Sequence, residues 1–290
     1  MKAQKTKLTF STTPAWDLAD GFGCASLGLA GTCDNATKLV AEYGEKLNGI
    51  TLAGSYDEVL AELDQVDQMV YAAIILFGNV GDENQFIKDF QKRITCPTVG
   101  GGAAIDGASG RSGLIIGSGQ VAVLLITDDR FMYRAVTQCI HDNVMGEVNL
   151  VLSDPRTIQR INDMNAAEFL AEKRKELGLN DTDFEHLTLS DMRNVNAHLS
   201  CVDGIIKSGR DVEEKMILRC IDHEKVYEAI REFYDDDSAI VFGCAGLSGL
   251  LDRPLDTNSL GLFLFGEVCT VDGVAEFGNL MLSKLVIEKR

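Results

Sequence analysis

The sequence predicts an α/β protein of two similar lobes, each a mixed sheet flanked by helices and related to the other by internal duplication. The first observation is a returning pattern: Ile75-Leu-Phe-Gly-Asn-Val-Gly81 reappears as Ile240-Val-Phe-Gly-Cys-Ala-Gly246. The second is the shared succession of landmarks after each copy. In the first half come Pro97-Thr-Val-Gly-Gly-Gly102 and then Gly117-Ser-Gly119 leading into Val121–Ile126; in the second come Gly261-Leu-Phe-Leu-Phe-Gly-Glu267 and then Phe277-Gly-Asn279 leading into Leu280–Ile287. Three landmarks in one order, offset by roughly 160 residues, are too widely spaced for a solenoid and read as two copies of one α/β unit. The lobes are expected at residues 1–150 and 151–290, with the boundary between 145 and 190. Two lobes leave a cleft between them, a preferred place for a small ligand.

Taken in order, Cys24–Ala30 is small and apolar, a short strand or the turn after one. Asp34–Leu47 places Ala36, Leu39, Val40, Tyr43 and Leu47 on one helical face behind an N-capping Asp34. Ser55–Asp67 is a second amphipathic helix carrying Val59, Leu60, Leu63 and Val66, and Val70–Phe77 is a continuously apolar strand of the kind buried on both faces. Helix Glu83–Arg93 returns the chain to the glycine-rich turn, and strand Val121–Ile126 comes next. Pro155–Leu177 reads as helical, with Leu170, Ala171 and Leu177 opposite its charges. Asn180–Met192 is acidic and turn-like, a hinge. Strand Ala197–Ile206, a turn at Lys207–Arg210 and strand Glu214–Arg219 come next, and helix Asp222–Tyr234 before strand Ala239–Cys244 then mirrors Ser55–Phe77.

Composition limits the partners. The chain carries 44 acidic against 27 basic residues, a net charge of −17, and no Lys/Arg cluster of the sort that displaces counterions from nucleic acid. That balance suits a cytoplasmic protein. Met1–Lys7 is basic, but Leu8–Pro14 is no apolar signal core, and no run reaches the ~18 apolar residues of a membrane span. The eight cysteines form no Cys-x-x-Cys pair, so no zinc ribbon or thioredoxin-like motif is present and the thiols are expected to be free and reduced.

The second half, with Ser238-Ala-Ile-Val-Phe-Gly-Cys244, Gly266-Glu267 and Glu276-Phe-Gly-Asn279, resembles the FIST C-terminal domain. The first half resembles the FIST N-terminal domain through Ala73-Ile-Ile-Leu-Phe77 and Cys96-Pro-Thr-Val-Gly-Gly-Gly-Ala-Ala104. The resemblance runs from about Val59 to the end of the chain. It implies a sensory module of prokaryotic signal transduction that binds a small ligand, an amino acid or small carboxylate, and passes its output to a protein partner. Some members are haem proteins that sense gas. The chain departs from the family where an Arg commonly comes after the cysteine: it has Cys244-Ala-Gly-Leu247, and leucine cannot clamp a carboxylate.

The candidate ligand-binding residues are Gly100, Gly101, Gly102, Arg111, Cys244, Gly266, Glu267 and Asn279. Three consecutive glycines let backbone N–H groups converge on an anion, with Arg111 as a nearby cation, or let two backbones pack closely. Their spacing fits neither phosphate-loop nor dinucleotide motifs. Glu267 and Cys244 each end an apolar run and are expected at one end of a sheet. Cys244 beside a carboxylate lacks the histidine base of a nucleophile, so no catalytic residue is assigned. No metal site is assigned either. A haem would need a histidine in an apolar pocket, for which His141 and His198 are the candidates. An uncharacterised enzyme working in the inter-lobe cleft is the remaining alternative.

Overall fold

The structure, a computed structural model, describes residues 16–17, 22–23, 49–78, 82–102, 121–180, 184–222, 224–234, 239–248, 250–251, 260–264 and 266–290. The expected elements at Cys24–Ala30 and Asp34–Leu47, and the candidate Arg111, lie outside them. The described chain is mixed α/β with more strand than helix.

After a short pairing of β1 (Trp16–Asp17) with β2 (Phe22–Gly23), a first sheet gathers β3 (Gly49–Gly54), β4 (Ala72–Phe77), β5 (Thr98–Gly102) and β6 (Val121–Ile126). Helix α1 (Tyr56–Leu63) starts where Ser55 and Glu58 form a reciprocal capping box, and α2 (Glu83–Gln91) comes after β4. The period-2 alternation of β4 and β6 then splits two cores. Ala72, Ile74, Leu76, Ala122, Leu124 and Ile126 face one way; Ala73, Ile75, Phe77, Val121, Val123 and Leu125 face the helices.

A second sheet is built from β7 (Phe131–Cys139), β16 (Ala239–Cys244), β17 (Leu260–Leu264) and β20 (Met281–Lys289), backed by α4 (Val226–Tyr234) and the short α5 (Ala245–Ser248). Its order is β17-β16-β20-β7, with β16 parallel to β17 and every other pair antiparallel. The first sheet runs β5-β4-β6-β3 with the same senses. The two sheets face one another, Phe131, Ile240, Phe242, Leu264, Leu285 and Ile287 meeting the outer row of β4 and β6 in one apolar layer. The result is helix, sheet, sheet, helix in four layers. A hairpin of β18 (Glu267–Val271) and β19 (Val274–Gly278) extends the first sheet by pairing with β5.

Residues 143–220 form something the sequence pattern does not announce: a strongly curled sheet of order β12-β11-β15-β8-β9-β14-β13, inserted between β7 and α4. It contains β8 (Asn143–Asp154), β9 (Thr157–Ile161), β11 (Leu187–Ser190), β12 (Asn196–Ala197), β13 (Leu199–Val202), β14 (Ile205–Ser208) and β15 (Lys215–Cys220), with β10 (Met164–Asn165) beside β9. Its end strands β12 and β13 are separated by one residue, so the sheet nearly closes on itself around Leu150, Ile161, Leu189, Leu199 and Met216. Helix α3 (Ala166–Glu176) contributes Ala166 and Leu170 to that core. The helix expected over Pro155–Leu177 is therefore half strand. Asn162, at φ 54°, turns β9 back into β10, and Asn165 caps α3 by accepting from the N–H groups of Ala167 and Glu168. The strand expected over Ala197–Ile206 is a hairpin, with Asp203 and Gly204 both at positive φ. The turn-like Asn180–Met192 contains β11.

Candidate functional site

Both parallel strand pairs end at the same place. Phe77 lies opposite Gly102 at the carboxyl ends of β4 and β5, and Cys244 lies opposite Leu264 at those of β16 and β17. The carboxyl ends of parallel strands are where α/β sheets place ligands. Glu267, the first residue of β18, sits between the two ends: it pairs with Gly101 and has the Cys244 thiol beside its carboxyl.

Glu267 is fully buried. Its Oε2 accepts from the Met281 N–H at 3.2 Å, and the Cys244 thiol is the only other donor at the carboxyl among the described residues; Oε1 accepts no N–H or O–H bond there. A carboxylate so placed is strongly disfavoured. Burial accordingly raises its pKa well above the ordinary value, outweighing the two hydrogen bonds. Burial likewise raises Cys244, with the neighbouring Glu267 adding to it, and the same two causes raise Tyr234 and Cys269. Burial thus favours the protonated forms of the acid, the thiols and the phenol gathered here.

The glycines serve close approach. Gly100 has φ 136°, and a Cβ there would lie 1.9 Å from the Ile75 carbonyl oxygen. A Cβ on Gly101 would lie 2.2 Å from Gly266 O, and one on Gly266 (φ 75°) 2.3 Å from the Phe277 ring. The backbone is committed to the sheet: Gly102 N–H donates to Gly266 O, and Gly100 and Gly101 pair with Val268 and Glu267.

Asn279 stands on the other side of Gly266 and touches the inserted barrel. Its N–H donates to Asn196 O at 3.0 Å, and its Oδ1 accepts from the His198 N–H at 3.3 Å. The next residue, Leu280, is fully buried at φ 54°, an unusual conformation for a bulky side chain and a mark of strain held by its surroundings. Its carbonyl accepts from Asn196 Nδ2 at 3.3 Å. Of the candidates, then, Gly101, Cys244, Gly266, Glu267 and Asn279 come together, with Gly100 and Gly102 on the adjoining strand.

Sequence reasoning did not find Asn196 or Leu280. Asn196 also donates Nδ2 to His141 Nδ1 at 3.4 Å, while His141 Nε2 donates to Glu185 O at 2.7 Å. Both ring nitrogens of the haem candidate His141 are therefore engaged, and burial lowers its pKa to about 4, keeping it neutral. Burial also lowers His198. Among the described residues no group of three or more His, Cys, Asp or Glu could hold a metal ion, and no helix is long and apolar enough to cross a membrane. A groove of about 470 Å³ lies on the barrel, lined by Ala171, Glu172, Lys175, Gly178 and Leu179, none of them a candidate residue. No family model matches the chain, and none of the curated proteins matches it significantly.

Proposed function

We propose that this chain is a small-ligand-binding sensory protein of the FIST type, in which a duplicated α/β unit places its ligand where the two parallel strand pairs end. The observation that carries the reading is Glu267: a fully buried carboxyl with one oxygen left without an N–H or O–H partner, beside a strained Leu280. Orphaned buried polar atoms and strained backbone both concentrate at working sites. The matching strand orders of the two sheets support the duplication. The ligand class is an amino acid or small carboxylate. Without an Arg clamp, the neutral Glu267 supplies an O–H donor to the ligand's carboxylate. In this reading the protein is cytoplasmic and its signal goes to a protein partner.

A thermal-shift screen over amino acids and small carboxylates tests this. A true ligand at 100 times its Kd adds about 2.7 kcal/mol to stability. Glu267→Gln, neutral and of the same shape, retains a carboxylate ligand; an ammonium held by an ionised Glu267 would instead lose about 1.5–3 kcal/mol. A screen without a single stabilising compound overturns the reading. A stoichiometric Soret band abolished by His141→Ala or His198→Ala moves it to a haem gas sensor, and turnover of a screened compound moves it to an enzyme.

A further inference from the structure

The inserted barrel and the Glu267 carboxyl are held by the two ends of one three-residue strap, Asn279-Leu280-Met281. At one end Asn196 grips the strap twice, through its carbonyl to the Asn279 N–H and through Nδ2 to the Leu280 carbonyl, while the His198 N–H donates to Asn279 Oδ1. At the other end the Met281 N–H donates to Glu267 Oε2. Between them Leu280 is kept at φ 54°.

Beside the buried Val195, which packs against Gly278, the rest of the barrel's seat near the same hairpin is largely polar. Arg210 pairs with Asp191 at 2.7 Å within the barrel and reaches Glu276 of β19 at 3.7 Å; Arg193 also pairs with Glu276. Arg156 reaches across to the buried Glu83 at the start of α2, at 3.3 Å. The barrel's covalent links to the sandwich leave it side by side, since Asn143 and Cys220 are paired at the base of β8 and β15. Polar inter-domain seats of this kind generally permit a body tied at one edge to move relative to its neighbour.

We infer that the strap Asn279–Met281 couples Glu267 to the seating of the barrel, so that the barrel is the element that reports the state of the carboxyl. A ligand that engages Glu267 displaces or strengthens the Met281 hydrogen bond, Leu280 then relaxes or stays strained, and Asn279 is released to or held against Asn196 and His198. The coupling is reciprocal by thermodynamic necessity: lifting the barrel alters Glu267 as much as Glu267 alters the barrel. This rests on Glu267 being the ligand-reading group, but its test needs no ligand and fails or succeeds apart from the screen.

The test is residue-resolved hydrogen exchange on the full chain. Glu267→Ala removes the acceptor of the Met281 N–H, and the expected result is roughly tenfold faster exchange at the Asn279 and His198 amides, with the β4 amides unchanged. Glu267→Gln, which keeps an acceptor, leaves those amides near wild type. Asn196→Ala is the reciprocal variant and should speed exchange at Met281 by a similar factor. Acceleration confined to Met281 in Glu267→Ala overturns the coupling. If Glu267→Ala loosens every amide alike, Asn196→Ala decides, and a Met281 amide there no faster than the β4 amides also overturns it.

Discussion

The molecule has two internal seams of opposite chemistry. Where the two sheets meet, thirteen buried residues make one apolar layer, from Ala72, Ile74 and Leu76 on one side to Phe242, Leu285 and Ile287 on the other. Where the barrel meets the sandwich, the contacts include Arg210 and Arg193 to Glu276, Arg156 to Glu83, His141 to the Glu185 carbonyl, Asn279 to Asn196 and His198, and Asn196 to the Leu280 carbonyl. Apolar burial is strong and undirected, worth about 25 cal/mol for each Å² removed from water, and fixes the sheets as one body. Polar pairs largely exchange water contacts for protein ones, so they orient the barrel while adding little net affinity. The apolar seam thus holds the sheets as one body, the polar seam is the one that the inferred coupling would adjust, and the candidate site sits at the junction of the two.

The largest expected effect comes from opening the apolar seam. Phe242→Ala removes a fully buried ring from the centre of that layer and should cost about 3–5 kcal/mol, with sheets and helices unfolding together in a single urea transition. A loss below about 1 kcal/mol would mean that the sheets are not held by that layer.

Titration separates the seams next. His141, in the polar seam, has its folded pKa lowered from 6.5 to about 4 by burial, with His186, Arg219 and Asp142 as the charged neighbours. A base whose pKa is lowered on folding contributes stability that is complete above pH 6.5. Between pH 6.5 and about 4 the unfolded chain binds the extra proton and about 2–3 kcal/mol is lost. Glu267, facing Cys244, Tyr234 and Cys269, behaves in the opposite sense. Its folded pKa is raised, so its contribution is complete below the ordinary carboxyl value and falls as pH rises towards the raised one. His141→Asn should flatten the acid limb of a stability–pH curve and Glu267→Gln the alkaline limb. Each variant leaving its own limb unchanged would show that burial of that group is not what shapes the curve.

How far each seam was legible depends on its chemistry. The strands of the apolar layer announce themselves: Ala72–Phe77 and Ala239–Cys244 are unbroken apolar runs ending in or beside glycine, and nothing else explains them. Cys244 and Glu267 could be placed together because each ends such a run. The barrel was not legible in the same way. Strands β8 and β9 are half exposed and mix Asn149, Gln159 and Arg160 with their apolar residues, so that β9 passes for the charged face of a helix. Val202-Asp-Gly-Ile205 and Val271-Asp-Gly-Val274 did carry a local signal, since Asp-Gly between β-branched residues marks a two-residue hairpin, and Asp203, Gly204, Asp272 and Gly273 all take positive φ. Leu280 carried none. Nothing in its neighbours asks for a left-handed backbone; the conformation is imposed by Asn279 bound to the barrel and Met281 bound to Glu267, contacts 81 to 84 and 14 residues away along the chain.

The smallest effect is the most selective for the adjustable seam. Gly209 comes directly after β14, and a Cβ built on it would meet Asn279 Oδ1 at 2.5 Å and the Asn279 amide carbon at 2.9 Å. Its N–H also donates to His198 O, so the backbone cannot simply retreat. Gly209→Ala should therefore push Asn279 away from His198 without touching the barrel's own core or the layer between the sheets. The expected cost is about 1–2 kcal/mol, at the low end of overpacking because one side chain rather than a packed core must yield. Its signature is local: the His198 amide, which loses Asn279 Oδ1, should exchange faster while the amides of β4 and β16 keep their protection. Adding Asn279→Ala removes the atom that the new methyl strikes, and it should make the glycine substitution nearly neutral in a double-mutant cycle. If Gly209→Ala costs the same with and without Asn279, the clash is not what seats the barrel, and the polar seam owes its geometry to the ion pairs at Arg210 and Arg156.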